Sequence, residues 1–339
     1  MNLKELAASL NLSQTTVSRA LNGYPEVRAE TRARVLKAAR AAHYEPNTRA
    51  QRLATGRSMT VGHVIPLSDQ HQMVNPIFSD FLASAGEVYA REGYDLLLSI
   101  VGVDEVEAAY RKLASNGSVD GLMVHGPRVT DARIPLLKSL GLPFIVHGRS
   151  AGSETCSWLD IQNRAAFEHA TNFLIDLGHC RIGLINGLEV FDFAHRRRQG
   201  YDAALQARGV SPNPAWVTCD EMTEEFGYRS ANAMLDLDDA PTAFLTSSIL
   251  SAIGVRRAVA HRGLTLGREV SLITHDDVLS YLRNGGDGLA FTATRSPIRD
   301  AGRRAAEMLM SLIDAPQQGP LQELWPVELT LGRTTGPAV

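Results

Sequence analysis

The feature that most constrains the fold is a regular alternation of short apolar runs with helix-period segments, which begins at Val61. VGHVIP is followed by a helical pattern near 78–92, then YDLLLSIV, a helix near 105–115, GLMVHG, a helix near 133–140 and FIVHG. The cycle restarts with helical residues 165–177, RIGLING, 197–208, 216–219 and 225–235, and continues through TAFLTS, 253–262 and VSLITHDD. Unbroken apolar runs belong to strands buried on both faces. Strands that alternate with helices predict parallel sheets with helices on each side, here in two subdomains.

The first sixty residues lack this alternation and differ in charge. Residues 1–57 carry ten Lys/Arg and four Asp/Glu, a net +6, whereas the other 282 carry −9. A small basic end on an acidic body suits a polyanion-binding module joined to something else. Asn2 and Glu5 have capping-box spacing, and Leu3, Leu6, Ala7 and Leu10 form an apolar stripe. Asn11 permits a left-handed turn and Ser13 caps the next helix, QTTVSRAL, so a helix-turn-helix is expected. A third helix should run from about 30 to 43, with Val35, Leu36, Ala39 and Ala42 inward. Gln14 and Arg19 can pair with base edges, and the hydroxyls of Thr15, Thr16 and Ser18 suit phosphates, which points to DNA.

Several classes are excluded. There is no run of eighteen apolar residues for a membrane span. MNLKELAASLNLS has no signal-peptide pattern, and Cys156, Cys180 and Cys219 have neither disulfide nor zinc spacing, so a cytoplasmic location is expected. No metal site or cofactor is expected: the histidines lack H-x-x-x-H spacing, and neither G-x-G-x-x-G nor a P-loop is present. Gly148, Ser150 and Gly152 fit G-x-S-x-G, but SAGSETCSWLD continues as polar loop and strand, where a nucleophile elbow needs a helix. A hydrolase is therefore disfavoured. A transport-type sugar-binding protein is disfavoured by the basic headpiece.

SQTTVSRALNGYPEV followed by TRARVLKAARAAHYEPNTRAQRLATGRS resembles the headpiece and hinge of the lactose-repressor (LacI) family. VDGLMV, LGHCRIGLI and LTLGRTTGP extend the resemblance over essentially the whole chain. The resemblance implies a helix-turn-helix headpiece at 1–46, a hinge helix and linker at 47–57, and a periplasmic-binding-protein-like body at 58–339. The body would comprise one subdomain near 58–158 plus 295–318 and another near 162–291 plus 322–336, with crossings near 158–162, 291–295 and 318–322. Gln14, Thr15 and Arg19 would read bases. Ser13, Thr16, Ser18 and Asn22 would touch phosphate or shape the turn, with Tyr44 and Asn47 flanking the hinge. A nine-residue helix from Asn47 is too short to stand alone in water, and Leu53, beside Ala50, would wedge into the minor groove. Arg28 stands where the family usually has a capping serine, and arginine cannot accept a backbone hydrogen bond, so that cap must come from elsewhere or be absent.

For the cleft, the resemblance implies effector contacts from Phe78, His125, Arg197, Met222, Ser248 and Asp276, with Arg197 and Asp276 as complementary donor and acceptor for a sugar. Ser248-Ile249 replaces a usual Asn-Asp, Gln162-Asn163 a usual Asp-Asn, and Thr274-His275 a usual Gly-aromatic. HVIPLS, HGPRV, PFIVHGR, WLDI and HDDVLSYLR most resemble regulators of bacterial α-glucoside use. The expectation is a sequence-specific repressor of carbohydrate genes that a small sugar releases from a near-palindromic operator. The sequence stops at Val339 directly after RTTGPAV, which favours a homodimer over a tetramer.

Overall fold

The computed structural model describes residues 1–21, 24–42, 44, 56–67, 75–284 and 290–339. It divides into two compact units, Met1–Met59 and Thr60–Val339.

The first unit contains α1 (Leu3–Ser9), α2 (Gln14–Leu21) and α3 (Ala29–Ala41). The capping box closes as expected: Glu5 N–H donates to Asn2 Oδ1 at 2.9 Å, and Asn2 N–H donates to Glu5 Oε2 at 3.0 Å. Asn11 turns the chain at φ +53°. Ser13 Oγ accepts from Thr16 N–H at 3.0 Å and so caps α2. Arg28 gives α3 no side-chain cap, because a guanidinium has no acceptor for the free N–H groups of the first turn. Leu6, Ala7, Val17, Ala20, Val35 and Ala39 form the core. Leu36, expected inside, is 36% exposed; Val35 and Ala39 occupy the buried face one turn apart, which leaves Leu36 on the flank.

In the second unit, β1 (Thr60–Leu67), α4 (Pro76–Arg91), β2 (Asp95–Gly102), α5 (Val106–Ser115), β3 (Gly121–His125), α6 (Arg133–Leu140), β4 (Phe144–His147) and β5 (Ser157–Ile161) come first. α7 (Asn163–Asp176), β6 (Ile182–Asn186), α8 (Asp192–Ala207), β7 (Val217–Cys219), α9 (Glu224–Leu235), β8 (Ala243–Thr246), α10 (Ile249–His261) and β9 (Ser271–Asp276) follow. β10 (Thr292–Arg295), α11 (Ile298–Asp314), β11 (Gln322–Trp325) and β12 (Glu328–Thr330) complete it. The strands form two six-stranded sheets, ordered β11-β5-β4-β3-β1-β2 and β12-β10-β9-β8-β6-β7. Every pairing is parallel except β10 with β12. This is a doubly wound α/β body in two subdomains.

The second and third crossings fall later than the sequence suggested. β10 belongs to the second sheet through Arg295, so the chain returns to the first subdomain between Arg295 and Ile298. β11 lies beside β5 in the first sheet, which puts the last crossing between Trp325 and Glu328 rather than at 318–322. The helix α11, absent from the sequence-derived alternation, packs against α4 and the first sheet. Close helix packing in the second subdomain depends on glycine: a Cβ on Gly254 in α10 would stand 2.0 Å from the Glu224 carbonyl oxygen in α9.

Both sheets reverse their winding direction at equivalent places, between β1 and β3 and between β6 and β8. Crevices at the carboxyl ends of strands flanking such switch points are where open α/β sheets bind ligands.

Candidate DNA-reading face and effector cleft

On α2, Val17 and Ala20 are buried, which fixes the rotation of the helix and leaves Ser13, Gln14, Thr15 and Arg19 exposed. Thr16 and Ser18 are half-buried beside them. Ser13, Thr15, Thr16, Arg19, Arg28 and Thr31 line one shallow depression. Arg19 Nη1 lies 3.7 Å from Glu26 Oε1, with both side chains about half exposed, so the contact is easily exchanged for another partner. Tyr44 packs against the headpiece core and takes a backbone bond to the Ala39 carbonyl. Asn22, Asn47, Ala50 and Leu53 lie outside the described residues.

In the body, a cavity of about 820 Å³ opens between the two sheets, within the usual range for small-molecule sites. Phe78, His125, Arg197 and Met222 line it. Ser248 and Asp276 do not, and their immediate neighbours Ser247 and Asp277 do. Ser248 is fully buried, and its Oγ accepts from Leu250 N–H at 3.2 Å as the cap of α10. Asp276, 1% exposed, accepts from Val278 N–H at 2.8 Å and lies 3.6 Å from Arg295 Nε. Val278 turns the chain at φ +54° straight after β9. Successive side chains leave a strand on opposite faces, so of the two adjacent aspartates only Asp277 reaches the cleft.

Of the three consecutive arginines on α8, Arg197 faces the cleft, Arg196 bonds Asp192 and Arg198 bonds Asp202. Arg197 is 5% exposed. Its Nε donates to Asn163 Oδ1 at 2.8 Å and its Nη1 to the Ser247 carbonyl at 2.6 Å. Phe167 and Phe193 pack on its guanidinium at 5.2 and 5.1 Å. Nη2 has no hydrogen-bond partner among the described residues. Burial pulls the Arg197 pKa down to about 10, against the pull of Asp277 and Asp160; it stays charged at neutral pH. Burial would raise the Asp277 carboxyl, but His275 and Arg197 outweigh it and hold it below the usual carboxylate range.

Two histidines line the opposite wall, His125 and His147, and His63 lies buried behind them; of the three only His125 was expected. His63 in β1 and His147 at the end of β4 join it, with His125 and His147 directly paired across β3 and β4. Burial lowers His63 to about 3 and His147 to about 4. His125 is also lowered well below its ordinary value, by burial and by its two histidine neighbours. All three are neutral at pH 7. Phe81 stacks on His147 at 4.4 Å, and Phe78 meets the His125 ring edge-on at 5.0 Å. The HGR and HDD strings hold His147 and Asp277 in plain view, but His63 sits inside an apolar run that reads as ordinary buried strand.

The G-x-S-x-G serine is not placed as a nucleophile. Ser150 is 3% exposed and donates to the Val129 carbonyl at 3.1 Å. Among the described residues there is no group of three metal-ligating side chains, and no helix is long and apolar enough to cross a membrane.

A helix-turn-helix unit followed in the chain by a two-subdomain α/β body with an interior cleft defines a ligand-responsive DNA-binding regulator. Residues 2–47 match the bacterial regulatory proteins of the lacI family, and residues 171–335 match the periplasmic binding protein-like domain. The HTH-type transcriptional regulator AglR of Rhizobium meliloti (strain 1021) is 45% identical over 344 residues, covering 100% of this chain and 95% of that protein. The HTH-type transcriptional regulator RafR of Escherichia coli is 34% identical, covering 96% of each. The chain belongs to the LacI family; it is a DNA-binding transcriptional regulator and not an enzyme. Among solved structures, the transcriptional regulator CelR–cellobiose complex is 25% identical with a TM-score of 0.72, covering 98% of this chain and 99% of that one. The lac repressor dimer bound to operator and the anti-inducer ONPF shares the fold, with a TM-score of 0.84 at 22% identity and 99% coverage of each chain.

Proposed function

We propose that this regulator is a cytoplasmic homodimeric repressor of carbohydrate uptake or catabolism genes, released from a near-palindromic operator by a neutral sugar of the α-glucoside type. Gln14, Thr15 and Arg19 read base edges; Ser13, Thr16, Ser18 and Asn22 hold phosphates or the turn. Tyr44 and Asn47 frame the hinge, whose Ala50 and Leu53 enter the minor groove. Two-fold symmetry of the protein imposes two-fold symmetry on the site.

The observation that carries the sugar reading is the composition of the cleft. Arg197 Nη2 and Asp277 offer donors and acceptors on one side, and Phe78, Phe81 and Met222 offer apolar surface. A polyhydroxylated ring needs both. The lining holds eight carboxylates against three arginines, and Asp131 already engages Arg133 at 2.6 Å. An excess of negative charge disfavours sugar phosphates and sugar acids. CelR, a regulator of the same fold, was solved as a complex with cellobiose, a disaccharide.

A thermal-shift panel tests the reading. Maltose, trehalose or sucrose should raise the melting temperature, since a ligand of the native state stabilises by RT ln(1 + [L]/Kd). Glucose 6-phosphate should not. A shift confined to the phosphorylated sugar would overturn the proposal.

A further inference from the structure

The first-subdomain wall of the cleft contains a hydrogen-bonded chain that reaches from the core to the cavity. Tyr89 Oη in α4 lies 3.1 Å from His63 Nε2, and His63 Nδ1 lies 2.9 Å from His125 Nε2. Tyr89 and His63 are 1% and 0% exposed; His125 lines the cavity. The chain bridges β1 and β3, at the winding switch of the first sheet.

Counting hydrogens sets its direction. A phenol has one hydrogen to donate, and a neutral imidazole has one donor and one acceptor nitrogen. If Tyr89 accepted from His63, its own buried hydrogen would have no acceptor among the described residues, and a buried unmade donor is the costly outcome. Tyr89 therefore donates to His63 Nε2. His63 must then carry its hydrogen on Nδ1 and donate it to His125 Nε2. His125 is left with its hydrogen on Nδ1, which bonds no described residue and is not enclosed. The low pKa values of these imidazoles agree with a chain that stays uncharged at pH 7. Phe78 and Phe81, each edge-on to the His125 ring at 5.0 Å, hold its plane.

We propose that Tyr89 and His63 are positioning residues that fix His125 as an Nδ1–H donor facing the ligand, so that this wall selects a ligand oxygen able to accept. A hydroxyl meets that requirement, and so does a ring or glycosidic oxygen, which can only accept. The opposite tautomer would reject the latter. The assignment rests on reading the cleft as the effector site.

The test uses the full-length protein labelled with ¹⁵N-histidine. Ring ¹⁵N–¹H correlation spectra at pH 7.5, assigned with His63→Asn and His125→Asn, report each tautomer without any ligand. The wild type should show His63 and His125 as neutral Nδ1–H forms. Tyr89→Phe, checked for folding by circular dichroism, should move His125 into a mixture containing Nε2–H. The same variant should weaken the best-bound of maltose, trehalose and sucrose about 3- to 10-fold, the loss of one oriented hydrogen bond. A wild-type His125 in the Nε2–H or charged form overturns the chain. A Tyr89→Phe spectrum with unchanged tautomers, or an unchanged affinity despite a shifted tautomer, overturns the positioning role. Failure of all three sugars to bind the wild type counts against the sugar reading instead, and the tautomer spectra still decide the chain.

Discussion

Ser280 closes on Asp80 from 200 residues away, its backbone N–H and its hydroxyl each donating to one carboxylate oxygen at 2.7 Å. The contact joins α4 of the first subdomain to the segment after β9, which bears Asp277. Arg299 of α11 adds an ion pair at 3.4 Å. Burial alone would raise the Asp80 carboxyl, but Ser280 and Arg299 outweigh it and hold its pKa below the ordinary value. A carboxyl lowered in the native state stabilises fully above its unfolded pKa, and this stabilisation is lost as pH falls through the native value. Asp80→Asn should therefore cost about 1–3 kcal/mol at pH 7. Urea unfolding should show the gap from wild type closing below pH 4, and a gap independent of pH would show that the charge of Asp80 is not what matters.

The adjacent aspartates can be separated by experiment. Asp277→Asn should weaken sugar binding by about 1.5–3 kcal/mol, the range for a hydrogen bond to a charged group, and leave DNA binding in place. Asp276→Asn should instead act on the Val278 turn, lowering the melting temperature with a smaller change in affinity. Calorimetric titration and thermal unfolding of both variants check this. Equal loss of affinity in the two would mean that the turn, not the Asp277 side chain, governs the site.

These two residues also show where sequence reading stops. Apolar runs such as GLMV and FIV announce parallel strands because burial on both faces needs no polar alternation. QELW alternates half-buried and exposed residues on a sheet edge, so no apolar run marks it as a strand of the first sheet, and the last change of subdomain was placed too early, near 318–322. Arg197, which the resemblance placed in the cleft, does line it, and the 100° step between helix residues explains why Arg196 and Arg198 beside it do not. The cleft lining holds Asp277 where the resemblance implied Asp276, because a motif does not reveal which face a strand-end residue takes. His63 was not legible at all: its partner Tyr89 is 26 residues away, and only the packing of α4 on β1 brings them together. Ser248 read as a ligand contact, but the start of α10 uses its hydroxyl as a cap.

On the headpiece, Arg19→Ala should cost about 1–3 kcal/mol on the preferred operator and relax specificity at one base pair. Arg19 is exposed on α2 and, among the described residues, its side chain meets only the loose contact with Glu26, so its removal should not disturb the fold. Competition binding with an operator selected from random DNA, against unselected DNA, measures the difference. A loss of equal size on both would assign Arg19 to phosphate rather than to a base.

The buried histidines predict an acid sensitivity of the body that begins well above the carboxylate range. His63, His125, His147 and His275 all have native pKa values below the ordinary 6.5, with burial as the leading cause. The unfolded chain protonates each near 6.5, whereas the native state does so only nearer 3 or 4 at His63 and His147. Stability is therefore full above pH 6.5 and falls as pH drops below it, by up to about 1.4 kcal/mol per pH unit for each such group. Urea unfolding monitored on the 60–339 unit should show a clear loss between pH 7 and pH 5.5, before Asp80, Asp131 or Asp277 titrate. His63→Gln should start from a lower stability, because it breaks the bonds to Tyr89 and His125, yet lose less on acidification by about one proton's worth of slope. An identical slope in wild type and variant would show that His63 is not held neutral by the fold.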